Sequence, residues 1–179
     1  MLGNFKKAIF RALCLCCVFI GGGLMAEPNP EELFNLGVES YKAKDYIKAG
    51  KYFEKVCGLN ASAGCGALGG LYEYGQGVEK NLIKAAYFYS KSCDLNNGAG
   101  CNALGDLYYS GEGVEKDLIK AAYFYSKACE LKESFGCGAL AVLYINGQGV
   151  EKNLTKADQY ISKACKLGDQ EACGVLKEK

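Results

Sequence analysis

Eight cysteines stand in four pairs of one form, C-x7-C: Cys57 and Cys65, Cys93 and Cys101, Cys129 and Cys137, Cys165 and Cys173. First members and second members both advance by 36 residues from pair to pair. In an unbroken α-helix, residues eight apart lie about 12 Å from each other. A disulfide needs its Cα atoms within roughly 7 Å. A covalent pair at this spacing therefore requires the chain to reverse direction between the two cysteines. The flanking text repeats as well. GQGVEKNLIKAAYFYSKSC (75–93) aligns without gaps on GEGVEKDLIKAAYFYSKAC (111–129) and on GQGVEKNLTKADQYISKAC (147–165). Self-similarity at this period marks a repeat architecture, in which each unit buries its apolar face on its neighbours.

The first 26 residues read differently. Lys6, Lys7 and Arg11 precede an apolar run from Ala12 to Ile20, and a Gly-rich exit leads to Leu24-Met25-Ala26. This is the pattern of a secretory signal peptide, with cleavage expected after Ala26. The apolar run is shorter than the ~20 residues of a membrane span. None of Cys14, Cys16 or Cys17 is preceded by the small residues of a lipidation box. Removing the segment takes three of the eleven cysteines and leaves the eight paired ones. An even, regularly spaced set in an exported chain reads as a disulfide framework. Zinc is the rival, but it favours C-x2-4-C spacing and often histidine, and this chain has no histidine.

Without the leader the chain carries 18 lysines against 20 acids, and no Arg, His or Trp. It lacks the side chains that usually read phosphates and base edges. No nucleic-acid partner is expected, and no stable membrane span after cleavage. Residues 27–179 are expected to form a single repeat domain, with units near 31–62, 64–98, 100–134 and 136–170 and a C-terminal cap at 171–179.

Each unit holds two helical patterns. Cys65, Leu68, Leu71 and Tyr72 form the apolar stripe of a short amphipathic helix. Gly75 and Gly77 are expected to end it, as are Gly111/Gly113 and Gly147/Gly149. A second helix is expected to start at Asn81, Asp117 or Asn153, residues that cap a helix N-terminus through a side-chain oxygen. Leu82, Ala85, Ala86, Tyr89 and Cys93 then fall on one face. The first unit lacks the G-x-G-V segment and turns through Lys44-Asp45. In this frame the first cysteine of each pair ends one repeat and the second opens the next. The chain reversal is then the turn between antiparallel helices, and each bridge staples two repeats. The fold class is all-α, a solenoid of antiparallel helix pairs.

The pattern A-L-x-x-L-Y…G-x-G-V…K-A…Y-x-K-A-C…C resembles the Sel-like repeats, cousins of the tetratricopeptide repeat. With C-x7-C at each junction behind a signal peptide, it resembles the Helicobacter cysteine-rich proteins over about residues 35–173. The resemblance implies a right-handed superhelix with a concave binding face, export to the periplasm or beyond, penicillin binding and weak β-lactam-hydrolysing activity. No cofactor is implied. Serine β-lactamases use S-x-x-K with S-D-N and K-T-G, and none of these occurs here. Zinc β-lactamases need histidine ligands. No catalytic residue transfers by motif, so the catalytic group is left open.

Residues that vary while the frame stays fixed point to a ligand face. At i, i+4 and i+7 on the first helix stand Gly66, Gly70 and Glu73, then Asn102, Asp106 and Tyr109, then Gly138, Val142 and Ile145. In tetratricopeptide-like solenoids the first helices line the concave face. Asn102, Asp106 and Tyr109 are therefore expected to form the polar centre of a groove, with Glu73 nearby. Its ligand is either a β-lactam or peptidoglycan-like molecule, or a peptide or protein partner. The recurring tyrosines (Tyr72, Tyr108, Tyr144; Tyr87, Tyr123) are read as core or inter-repeat packing.

Overall fold

The computed structural model describes residues 29–177. The signal-peptide reading falls on residues outside this range. Among the described residues every regular element is a helix: α1 (Pro30–Lys42), α2 (Tyr46–Gly58), α3 (Ser62–Tyr74), α4 (Leu82–Asp94), α5 (Gly98–Ser110), α6 (Leu118–Glu130), α7 (Ser134–Asn146), α8 (Leu154–Lys166) and α9 (Gln170–Lys177). Each packs on the helices before and after it in sequence, giving a solenoid of antiparallel pairs. The first helices of successive repeats also touch one another, α3 on α5 and α5 on α7. Such contacts place the first helices on the inner side of the curve.

The caps follow from the sequence. Asn81 accepts from Lys84 N–H at 2.9 Å, Asn153 from Lys156 N–H at 2.9 Å, and Asp117 from Ile119 and Lys120 N–H. Asp45 caps α2 in the same way. Gly75, Gly111 and Gly147 close the first helices in the left-handed conformation, where a side chain is disfavoured.

The second glycine of each G-x-G has a different task from the expected one. It is where the loop of one repeat presses on the preceding second helix. A Cβ on Gly113 would lie 2.5 Å from the Leu82 carbonyl carbon, and one on Gly77 2.5 Å from that of Tyr46. On Gly149 it would collide with the Leu118 carbonyl oxygen. All three also have φ near +70°. The glycines thus let the loop of each repeat seat on the first turn of α2, α4 or α6.

The bridges Cys57–Cys65, Cys93–Cys101, Cys129–Cys137 and Cys165–Cys173 are formed, with Cα separations of 4.5 to 4.7 Å. Each spans a second helix and the following first helix. The turn between them places one residue in the left-handed region: Asn60, Asn96, Lys132 or Gly168. Asparagine and glycine tolerate this conformation, whereas lysine has no such ease. Lys132→Gly is therefore expected to stabilise the chain by about 1 kcal/mol, read as a higher urea midpoint at unchanged slope.

The core is a chain of small clusters strung along the junctions. Tyr72, Tyr108 and Tyr144 stack on Phe88, Phe124 and Tyr160 of their own second helices, at 5.5 to 5.6 Å between centroids. Tyr87 and Tyr123 depart from the sequence expectation, since both are exposed on the outer layer.

Candidate functional site

The inner face is built from one residue column per first helix, and the second helix decides what each column can hold. On α3, Gly69 leaves no Cβ where the Tyr89 ring lies; an added Cβ would sit 2.7 Å from that ring. Gly105 does the same for Tyr125 on α5, at 2.7 Å. The two rings pass flat across the inner helix and deliver their hydroxyls to the face beyond. The Tyr89 hydroxyl donates to Glu73 Oε2. The Tyr125 hydroxyl donates to Asp106 Oδ1 at 2.7 Å, and Asn102 Nδ2 donates to Asp106 Oδ2 at 3.1 Å.

The end repeats are built otherwise. The position of Tyr89 and Tyr125 is taken by Phe53 on α2 and by Ile161 on α8. Gly37 receives the Phe53 ring, and Ala141 replaces the glycine beside Ile161. No hydroxyl is delivered there, and the inner face carries Phe34, Val38 and Tyr41 at one end and Val142 and Ile145 at the other. A cavity of about 250 Å³ opens at the first end, lined by Phe34, Val38, Tyr41, Gly70, Tyr74 and Gln76 among others. Another of about 310 Å³ opens at the second, lined in part by Phe135, Val142, Ile145 and Val175.

Electrostatics follow from this placement. The Asp106 residue is exposed, yet its carboxylate lies against the Tyr125 phenol and the Asn102 amide. Desolvation raises its pKa; the Tyr125 hydrogen bond pulls it down, and the charge of Glu73 raises it again. The Tyr89 and Tyr125 phenols are pushed far above their ordinary value, first by burial and then by the carboxylates they donate to. Tyr74 is raised chiefly by the charge of Glu73. The buried Asn102 Oδ1 accepts no hydrogen bond.

Of the residues expected from sequence, Asn102 and Asp106 are in direct contact, and Glu73 acts on Asp106 through space. Tyr109 lies on the same helix, with Lys116 Nζ 5.7 Å from its ring centroid. Sequence reasoning did not find Tyr89, Tyr125, Tyr74, Tyr41 or Gln76, which the Tyr41 hydroxyl contacts at 2.9 Å. The signal was available: a ring at Phe53, Tyr89 or Tyr125 coincides with a glycine at Gly37, Gly69 or Gly105, and the glycine is lost only where the ring is, at Ile161 and Ala141.

Burial sets the pH behaviour of the pair. Because the folded pKa of Asp106 is raised, its contribution to stability is present at low pH and is lost as pH rises from the ordinary 3.8 through the raised folded value. Asp106→Asn keeps an acceptor for Tyr125 and removes this dependence. Urea midpoints of the variant relative to the parent are expected to improve as pH rises above 3.8 and then to level off.

The model for the Sel1 repeat matches residues 33–59, 62–97, 98–133 and 134–169. The chain belongs to the Sel1 repeat family. Within that family it groups with the Helicobacter cysteine-rich proteins. It is 41% identical to the solved structure of cysteine-rich protein B of Helicobacter pylori, with a TM-score of 0.60, over 74% of this chain and 96% of that one. It is 56% identical over 82 residues to the Helicobacter pylori protein named "Putative beta-lactamase HcpC", and 49% identical over 82 residues to "Beta-lactamase HcpA" of the same species. These matches cover 46% of this chain but only 28% and 32% of the two relatives. A protective antigen of uropathogenic Escherichia coli with an SLR fold superposes with a TM-score of 0.76 at 28% identity, over 80% of this chain and 32% of that one. The disulfides together with these relatives make this Sel1 repeat chain an extracytoplasmic protein. Among the described residues no helix is long and apolar enough to cross a membrane.

Proposed function

We propose that this Sel1 repeat chain is a secreted or periplasmic binding module whose inner face holds a segment of a partner protein or peptide. One observation carries the reading: the residues that vary between repeats, Gly66/Gly70/Glu73 through Gly138/Val142/Ile145, share one continuous face, while the frame residues are spent on core and junctions. Solenoids offer such extended concave surfaces for binding.

The names of the Helicobacter relatives favour a second reading, β-lactam recognition with hydrolysis, acting on peptidoglycan-like ligands. The chemistry near the groove gives it little support. A nucleophile needs a base within hydrogen-bond reach. The hydroxyls of Ser92 and Ser110 donate to backbone carbonyls. The two phenols that touch carboxylates are held protonated by burial.

The discriminating experiment compares the oxidised protein with an Asn102→Ala, Asp106→Asn, Tyr109→Ala variant. β-Lactam turnover and peptide binding are measured on both. The module reading expects peptide binding that falls in the variant, with no turnover above background in either. Turnover that scales with protein and drops in the variant would establish the enzyme instead.

A further inference from the structure

Charge is segregated between the two layers. Helices α3, α5 and α7, which form the middle of the inner face, contain no lysine, arginine or histidine. Their charged residues are Glu73 and Asp106 alone. The second helices carry the lysines: Lys84 and Lys91 on α4, Lys120 and Lys127 on α6. Lys116 reaches the Tyr109 ring from the loop before α6. The two carboxylates are close enough that both act on Tyr74 and that the charge of Glu73 is felt by Asp106, and each accepts a hydrogen bond from a phenol of the second helices. The buried acceptor Asn102 Oδ1, left without a donor, adds to an electron-rich centre. Tyr74 flanks it and offers a ring face to a cation, whereas the Tyr109 ring already has Lys116 over it.

This centre sits between two mainly apolar cavities, one at α1 and α3 and one at α7 and α9, the second also lined by Asp169 and Glu171. From α1 to α7 there are three steps between inner helices. At about 10 Å per step this is roughly 30 Å, which an extended peptide spans with about nine residues. Resting on the binding-module reading, we propose that the groove selects an extended peptide segment with an apolar side chain near each end and a lysine or arginine between them. The cation would lie between Glu73 and Asp106, midway between the α1 and α7 ends. The apolar side chains would enter the cavities beside Tyr41 and Val142. Charge complementarity argues for this occupant, because an anionic ligand would meet two carboxylates and no cation on α3, α5 or α7.

The test uses three synthetic pools of ten-residue peptides built from Leu, Phe, Val, Ser and Gly. One fixed position carries lysine, norleucine or glutamate. Affinity for the oxidised full chain is read by fluorescence polarisation. The lysine pool is expected to bind about tenfold tighter than the norleucine pool, and the glutamate pool weakest. The advantage of lysine should shrink as salt is raised. It should vanish in a Glu73→Gln, Asp106→Asn variant, whose amides still accept from Tyr89 and Tyr125. Val142→Ser, at a residue 47% exposed, should weaken all pools by roughly fivefold without erasing the ranking. Equal binding of the three pools, or preference for glutamate, would overturn this inference and leave the binding-module reading standing. No binding by any pool would overturn both.

Discussion

Reduction and alkylation of the eight cysteines is expected to unfold the chain at room temperature without denaturant. Each bridge closes a loop of about nine residues, and constraining such a loop in the unfolded chain is worth roughly 2.5 kcal/mol in the entropy model. Four bridges contribute of order 10 kcal/mol, comparable with the whole net stability of an ordinary domain. The solenoid has few other reserves. Each helix touches its neighbours in sequence and little else, and the core is divided into clusters of a few residues, with Ala and Cys prominent in them. Replacing one pair, Cys93→Ser with Cys101→Ser, should cost about 3 kcal/mol, since both sulfurs are also fully buried. Circular dichroism at 222 nm against urea, oxidised and reduced, checks both statements. A reduced chain that keeps its helices and its cooperative transition would show that packing alone holds the repeats.

The second large effect is at a glycine. Gly149→Ala should destabilise by about 4 kcal/mol. The residue is left-handed, with φ 68°, and the new methyl group would meet the Leu118 carbonyl oxygen and the Ile119 amide nitrogen. These are backbone atoms in the first turn of α6, which cannot swing aside as a side chain can. The loop before α8 would lift from the third repeat, so the loss should fall on the C-terminal half. Gly174→Ala is the control: it lies within α9 with nothing inside 4 Å of the added Cβ. That substitution should be neutral or stabilising by up to about 1 kcal/mol. Hydrogen exchange localises the damage, and equal effects at both positions would refute the contact.

The frame was readable from the sequence because it repeats. Cysteine spacing located the reversals, Asn81, Asp117 and Asn153 marked the second helices, and the varying residues Asn102, Asp106 and Tyr109 fell on one face. The chemistry of that face was less legible. Its phenols come from Tyr89 and Tyr125, which read as core positions because their rings are indeed buried. Only the packing of those rings over Gly69 and Gly105 shows that the hydroxyls emerge on the far side. The task of Gly77, Gly113 and Gly149 was hidden for a related reason. A glycine after a helix reads as a cap, and the backbone it touches lies 31 residues earlier in the chain, at Leu118 for Gly149.

The most direct test of the central claim, that the inner face is the binding surface, is a nuclear magnetic resonance titration of the isotope-labelled, oxidised chain with the lysine peptide pool. The account predicts that amide shifts move along α3, α5 and α7, with the largest changes around Glu73 and Asp106, while α4 and α6 stay in place. Shifts confined to the outer residues of α4 and α6, such as Ile83, Tyr87, Ile119 and Tyr123, would contradict it and move the binding surface to the other layer.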